Sequence, residues 1–78
     1  MRTKIDTAII KKVKELREKQ DVSQRILAEV LSTTPGFIGQ AESDKCATKY
    51  SAAQIYMLAE FFECEVSDIF PPINRLEP

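Results

Sequence analysis

The chain has no histidine and no tryptophan, only two cysteines and two glycines, and no long apolar run. Without imidazole it lacks the usual general base of neutral pH. Cys46 and Cys64 stand alone and far apart, matching no zinc-ligand spacing. Two such thiols are expected to be reduced, partly buried small hydrophobes, with a disulfide or a reactive thiol as the other reading. Gly36 and Gly39 form no phosphate-cradling loop, so nucleotide binding has no support and no cofactor or metal is expected. Catalytic carboxylates do not cluster either, and the chain is expected not to be an enzyme. Stretches such as Tyr56 to Ala59 fall far below the ~20 apolar residues of a membrane span. No basic start leads into an apolar run and a small-residue cleavage site, so no secretory signal is read. These absences leave the expectation of a cytoplasmic protein without membrane contact.

What is present is ordinary globular composition, with 44% hydrophobic and 29% charged residues in a chain of 78. That length fits one domain, since domains run to roughly 100–200 residues. So short a chain is marginal unless its helices pack tightly or copies associate. Net charge is −1 but unevenly spread. Residues 1–26 hold eight basic side chains against four acidic, 27–49 two against three, and 50–78 one against five. A polarised molecule of this kind can present a basic face despite its weakly acidic total. Lys11, Lys12, Lys14 and Lys19 are read more simply, as the solvated side of a helix.

Apolar spacing predicts helices throughout. From Asp6 to Gln20, Ile9, Val13 and Leu16 share a stripe with Ile5 just before it. Asp21 follows where the backbone must turn left-handed, which Asp tolerates better than most residues. Ser23 caps a short second helix to Leu31, with Leu27, Ala28 and Leu31 inward. Ser32 and Thr33 interrupt the pattern. Thr34 caps a third helix from Pro35 to about Glu42, Pro35 taking the first position, where its missing N–H costs nothing. Ile38 and Ala41 face inward there, and Ser43 to Lys49 reads as a loop. Ser51 and Gln54 form a capping box for a fourth helix, Ser51 to Phe62, with Ala52, Ile55, Tyr56, Ala59 and Phe62 as its core stripe. Val66 to Phe70 is a last helical turn, capped by Ser67 and stopped by Pro71 and Pro72. The expectation is an all-α, compact five-helix domain over residues 1–70 with a short tail over 71–78.

Two capped short helices joined by a tight turn can lay one across a DNA backbone and place the other in the major groove, but structural bundles use such pairs too. The residues narrow the choice. Leu16-Arg17-Glu18, Val22-Ser23-Gln24, Leu27-Ala28 and Thr34-Pro35-Gly36-Phe37-Ile38-Gly39-Gln40-Ala41-Glu42 occur in order, followed by Leu58-Ala59 and Ser67-Asp68-Ile69-Phe70. Together, over residues 9–70, they resemble the phage repressor and Cro-type helix-turn-helix family. The resemblance implies that Gln24 anchors a phosphate, that Thr34, Pro35, Gly36 and Gln40 form the exposed recognition face, and that Phe37 lies at its edge. The loop holding Lys45 matches a second phosphate-contacting segment, and Ser23 and Thr33 complete the expected DNA-binding set. Arg17 and Glu42 match a structural ion pair joining helix one to the end of helix three.

Departures from the family pattern shape the expectation. Pro35 and Gly36 replace donor-bearing side chains, so base reading falls to Gln40, Thr34 and Phe37, the last against a thymine methyl. More of the affinity then rests on phosphate contacts and DNA shape. Gly36 and Gly39 suggest close backbone approach, either to DNA or to a neighbouring helix. Met57 and Phe61 lie opposite the core stripe, which points to a homodimer interface or to cover by the tail residues Pro71, Pro72, Ile73 and Leu76. Ile26 and Val30 form a second stray apolar pair with no assigned role. The function expected is a homodimeric, sequence-specific transcriptional regulator of double-stranded DNA, a repressor that occludes a promoter. The alternative is an antitoxin-like module whose acidic, apolar C-terminal half grips a protein partner.

Overall fold

The computed structural model describes residues 2–73, and the tail residue Leu76 lies outside them. Five helices follow one another: α1 Lys4–Lys19, α2 Gln24–Val30, α3 Pro35–Ala41, α4 Ala52–Phe62 and α5 Val66–Ile69. No strand occurs among the described residues, and the fold is all-α. Nor is any described helix long and apolar enough to cross a membrane.

Local chemistry sets each helix start. Thr3 caps α1, its hydroxyl accepting from the Asp6 amide at 3.1 Å while the Thr3 amide donates to the Asp6 carboxylate at 2.9 Å. That backbone N–H holds the Asp6 carboxyl below its ordinary pKa, with Lys49 acting in the same direction. α1 therefore starts two residues before Asp6. Ser23, Thr34 and Ser51 cap α2, α3 and α4 as their positions suggest, and Gln54 closes the box on Ser51 at 2.8 Å. Ser67, by contrast, caps nothing. Glu65 occupies the cap position of α5, two residues before Ser67, and its amide donates to Asp68 at 2.9 Å.

Three helices stop in the same way, without glycine. Asp21, Ser32 and Glu63 adopt left-handed backbone with φ of 59°, 54° and 56°. In each case the amide one residue further on returns to the helix, Val22 to Arg17 O at 2.9 Å, Thr33 to Ala28 O at 2.8 Å and Cys64 to Ala59 O at 3.0 Å. These bonds satisfy carbonyls that the helix end would otherwise orphan, and they offset the steric cost of a Cβ in that region. Such stops keep the connections between α1, α2 and α3 short.

The core is one cluster built from every helix: Ile9, Ile10, Val13, Leu27, Ala28, Leu31, Ile38, Ala41, Tyr50, Ile55, Leu58, Ala59, Phe62 and Ile69. α2 packs against α3, α4 against α5, and both α1 with α5 and α2 with α4. The expected stripes hold for α2 and α3 but need correction on α1 and α4. Ile5 is 46% exposed, and Ile10 takes the inward place. On α4, Ala52 is exposed and Tyr56 is 60% exposed, while Leu58 is fully buried. The buried face is therefore turned toward Leu58, and Met57 packs partly against the core instead of lying wholly opposite it. Lys11, Lys14 and Lys19 are exposed and Lys12 half-buried, as a solvated helix side requires. Cys46 and Cys64 are free, half-buried thiols, and burial pushes the Cys64 thiol above its ordinary pKa.

Candidate nucleic-acid interface

α3 has only seven residues, two of them glycine, so its intrinsic helicity is poor. Tertiary anchors hold it. Ile38 and Ala41 are fully buried on its inner side. Its start is fixed by Thr34, whose hydroxyl accepts from the Phe37 amide at 3.1 Å. Its end is fixed by Glu42, which receives two donors of Arg17, Nε at 2.8 Å and Nη2 at 3.0 Å. The remaining guanidinium nitrogen, Nη1, donates to the Val22 carbonyl at 2.8 Å. The Glu42 and Arg17 side chains are 5% and 13% exposed, so the pair expected from the family pattern is present and well shielded. Hydrogen bonding to Glu42 raises the Arg17 pKa, and the guanidinium stays charged.

Gln24 belongs to the same network. Its Nε2 donates to Glu42 Oε1 at 3.1 Å, a contact the sequence reading lacked. One N–H of the carboxamide is thereby spent, which fixes the group and leaves the other N–H to a further acceptor. Around it, Ser23 is exposed, with its hydroxyl occupied by the Ile26 amide at 3.1 Å, and Thr33 is half-buried.

The outer side of α3 carries no charge. Thr34, Pro35, Gly36 and Gln40 are exposed, and Gly39 is half-exposed. Neither glycine is required by its own fold. Both have negative φ, and an added Cβ would meet only Thr34 Oγ1 at 3.8 Å or Gln24 Oε1 at 3.8 Å, both ordinary contacts. Close approach of a neighbouring helix thus does not explain them. Phe37 sits back from this face, half-buried with its ring 6.2 Å from that of Tyr50. Tyr50 was not among the expected core residues. Its hydroxyl is buried without a hydrogen-bond partner among the described residues, and burial, reinforced by Glu42, pushes its pKa up to about 12.

Residues 43–49 flank the end of α3 and place Lys45 in solvent, its amide bonded to Ser43 Oγ at 3.2 Å. What secures this loop is Arg2, which sequence reasoning counted only as a charge. Its guanidinium donates to the carbonyls of Thr48, Ser43, Ala41 and Gln40 at 2.7–3.1 Å. Thr48 Oγ1 in turn donates to Gln40 Oε1 at 3.3 Å. Contacts across some forty residues leave no local signature, so periodicity and capping patterns could not have found them. Elsewhere, Arg25 pairs with Glu29 on the open side of α2 at 3.2 Å. Met57 is half-buried, Phe61 stacks edge-on with Phe62 at 5.1 Å between centroids, and Ile26 is 38% exposed. No group of three or more Cys, Asp or Glu gathers into a metal site among the described residues.

No family model matches this chain, and no curated protein matches it. Several solved structures do. The hydroxypropylphosphonic acid epoxidase from S. wedmorenis in complex with fosfomycin superimposes with a TM-score of 0.74 at 20% identity, over 90% of this chain and 36% of that one. The cobalt(II) form of HppE in complex with Tris buffer gives 0.75 at 20% identity over 90% and 38%, and apo-HppE gives 0.70 at 21% identity over 86% and 36%. At this identity the likeness shows the fold alone. The chain spans less than two-fifths of the length of those structures.

Proposed function

We propose that this chain is a double-stranded DNA-binding transcriptional regulator that reads sequence by inserting α3 into the major groove. One observation carries the reading: α3 is anchored on its inner side by Ile38, Ala41 and the Arg17–Glu42 pair, while an uncharged, slim outer face is left in solvent. A major groove about 12 Å wide admits one helix, and close packing on base edges and backbone favours such a surface. The glycines, unexplained by internal packing, then serve the approach of DNA to the α3 backbone. Gln40 and Thr34 read base edges. Gln24, oriented by Glu42, offers its free N–H to a phosphate, and Lys45 supplies a second phosphate contact. Ser23 and Thr33 flank the backbone path.

Two copies joined through the exposed Phe61 and the edge of the half-buried Met57 on α4 would present two such helices to half-sites about 34–36 Å apart. Binding over a promoter makes the chain a repressor by occlusion. The partly exposed Tyr56 favours a second reading, in which the outer side of α4 receives a protein partner. Stable co-purification with a protein encoded beside it would favour that reading.

Selection of bound duplexes from a random library tests the proposal. Wild-type protein should enrich one motif. Gln40→Ala should relax a single base position, whereas Gln24→Ala and Lys45→Ala should weaken all duplexes evenly; only Lys45→Ala, which removes a charge, should also flatten the log–log salt slope, by about 0.9. Enrichment of no motif by the wild-type chain would overturn the reading.

A further inference from the structure

Resting on that DNA-binding reading, we infer that Arg2 and Thr48 are positioning residues that set the base preference of Gln40. Two bonds converge on Gln40. Arg2 Nη2 donates to its carbonyl at 3.1 Å, and the Thr48 hydroxyl donates to its side-chain Oε1 at 3.3 Å. Arg2 also fixes Thr48, whose carbonyl receives both Nε at 2.9 Å and Nη2 at 2.7 Å. The chain of contacts runs from the guanidinium to the Thr48 backbone and from the Thr48 hydroxyl to the carboxamide.

The consequence is directional. A glutamine carboxamide carries an acceptor and two donors, and it reads adenine only when Oε1 and Nε2 face the base edge in the right order. The Thr48 hydroxyl occupies one lone pair of Oε1 and ties the carboxamide to the loop in this arrangement. Nε2 keeps both of its N–H donors, and Oε1 keeps its second lone pair. A side chain already held in one orientation loses less rotamer freedom when it meets the base. Arg2 is committed to this task, because Nε, Nη1 and Nη2 all face main-chain carbonyls, so it serves as an internal strap and not as a phosphate contact. A second strap runs parallel to it: Asp6, which caps α1 with Thr3, meets Lys49 Nζ at 3.5 Å.

The experiment is duplex selection with wild type, Gln40→Ala, Thr48→Val and Arg2→Ala, accompanied by melting curves and by affinities measured across a salt series. Thr48→Val preserves shape and deletes only the hydroxyl, so it should fold like wild type. It should reduce discrimination roughly fivefold, the worth of one hydrogen bond, at the same base position that Gln40→Ala relaxes. Its salt slope and its preferences elsewhere should not change. Arg2→Ala should relax the same position and also weaken every duplex, because the loop carrying Lys45 is released. Should Thr48→Val retain full discrimination at that position, the inference falls while the DNA reading stands, whatever the stability of Arg2→Ala. A wild-type chain that enriches no motif removes the DNA reading and this inference with it.

Discussion

Replacing Glu42 by alanine should cost far more stability than removing a solvent-exposed charge. The side chain accepts three hydrogen bonds, from Arg17 Nε at 2.8 Å, Arg17 Nη2 at 3.0 Å and Gln24 Nε2 at 3.1 Å. Without it, the shielded guanidinium keeps the Val22 carbonyl at 2.8 Å and a contact at 4.0 Å with the largely exposed Glu18. Breaking a buried pair and stranding one charge costs about 3–5 kcal/mol. A chain of this length has a total stability of roughly 4–12 kcal/mol. The expected loss is therefore a large part of the whole, equivalent to a fall in melting temperature on the order of 15–30 °C. Urea titration followed by far-ultraviolet circular dichroism reads it directly. Glu29→Ala is the control, since its partner Arg25 lies in solvent with both side chains about 70% exposed, and such pairs are worth ~0.3–0.5 kcal/mol. The double variant Arg17→Met/Glu42→Leu should recover most of the loss, because an apolar pair of similar volume leaves no stranded charge. Equal, small effects of Glu42→Ala and Glu29→Ala would refute the reasoning, as would a double variant no better than Glu42→Ala alone.

Three further outcomes follow from the same geometry. Gly39→Ala should stabilise α3 by about 0.5–1 kcal/mol, since a Cβ there meets nothing closer than 3.8 Å, yet it should weaken DNA binding; thermal melting and electrophoretic mobility shift separate the two effects. Tyr50→Phe should leave stability at pH 7 unchanged or slightly raised, because the hydroxyl has no partner to lose. The folded Tyr50 pKa of about 12 lies above the ordinary 10.0, so the neutral form's contribution is complete below pH 10 and is lost as pH rises toward 12. Urea titrations at pH 9 and pH 11.5 should show a decline in wild type that Tyr50→Phe lessens. Phe61→Glu should convert a dimer to a monomer in sedimentation equilibrium and shift DNA binding to higher protein concentration, without changing the preferred half-site.

Much of this architecture could be read from residue order because its decisive chemistry is local. A cap reaches three residues ahead, and a helix stripe repeats within a turn. Thr34 with Pro35 and Ser51 with Gln54 therefore announced their helices, and Asp21 its left-handed stop. The failures were local too where signals competed. Around α4 nearly every residue is apolar, so periodicity could not distinguish Tyr56 from Leu58 as the inward side chain, and packing against α2 and α5 decided it. Ser67 looked like a cap because serine favours that place, but the Glu65–Asp68 bond shifts the start by two residues. The resemblance to repressors supplied the Arg17–Glu42 pair, which no spacing rule contains. Neither route could supply Arg2, Thr48 or Tyr50, whose roles depend on how the segment ahead of α1, α3 and residues 43–50 meet.

The same division explains how so weak a helix can be held in place. α3 lacks the length and the residue types to persist alone, and a glycine pair in seven residues works against it. Its order must come from contacts made elsewhere: Arg17 from α1, Gln24 from α2, and Arg2 from the segment ahead of α1. Each of these reaches the C-terminal end of α3 or Glu42 beside it, while the N-terminal end is held by the Thr34 cap and by Phe37 against Tyr50. Stiffness is thus concentrated where Gln40 and the Lys45 loop lie, and the end carrying Pro35 and Gly36 relies on the fixed φ of proline. A surface built this way spends its side chains on orientation and leaves its backbone bare, which suits the proposed recognition through DNA shape and phosphates with Gln40 as the most directed base contact.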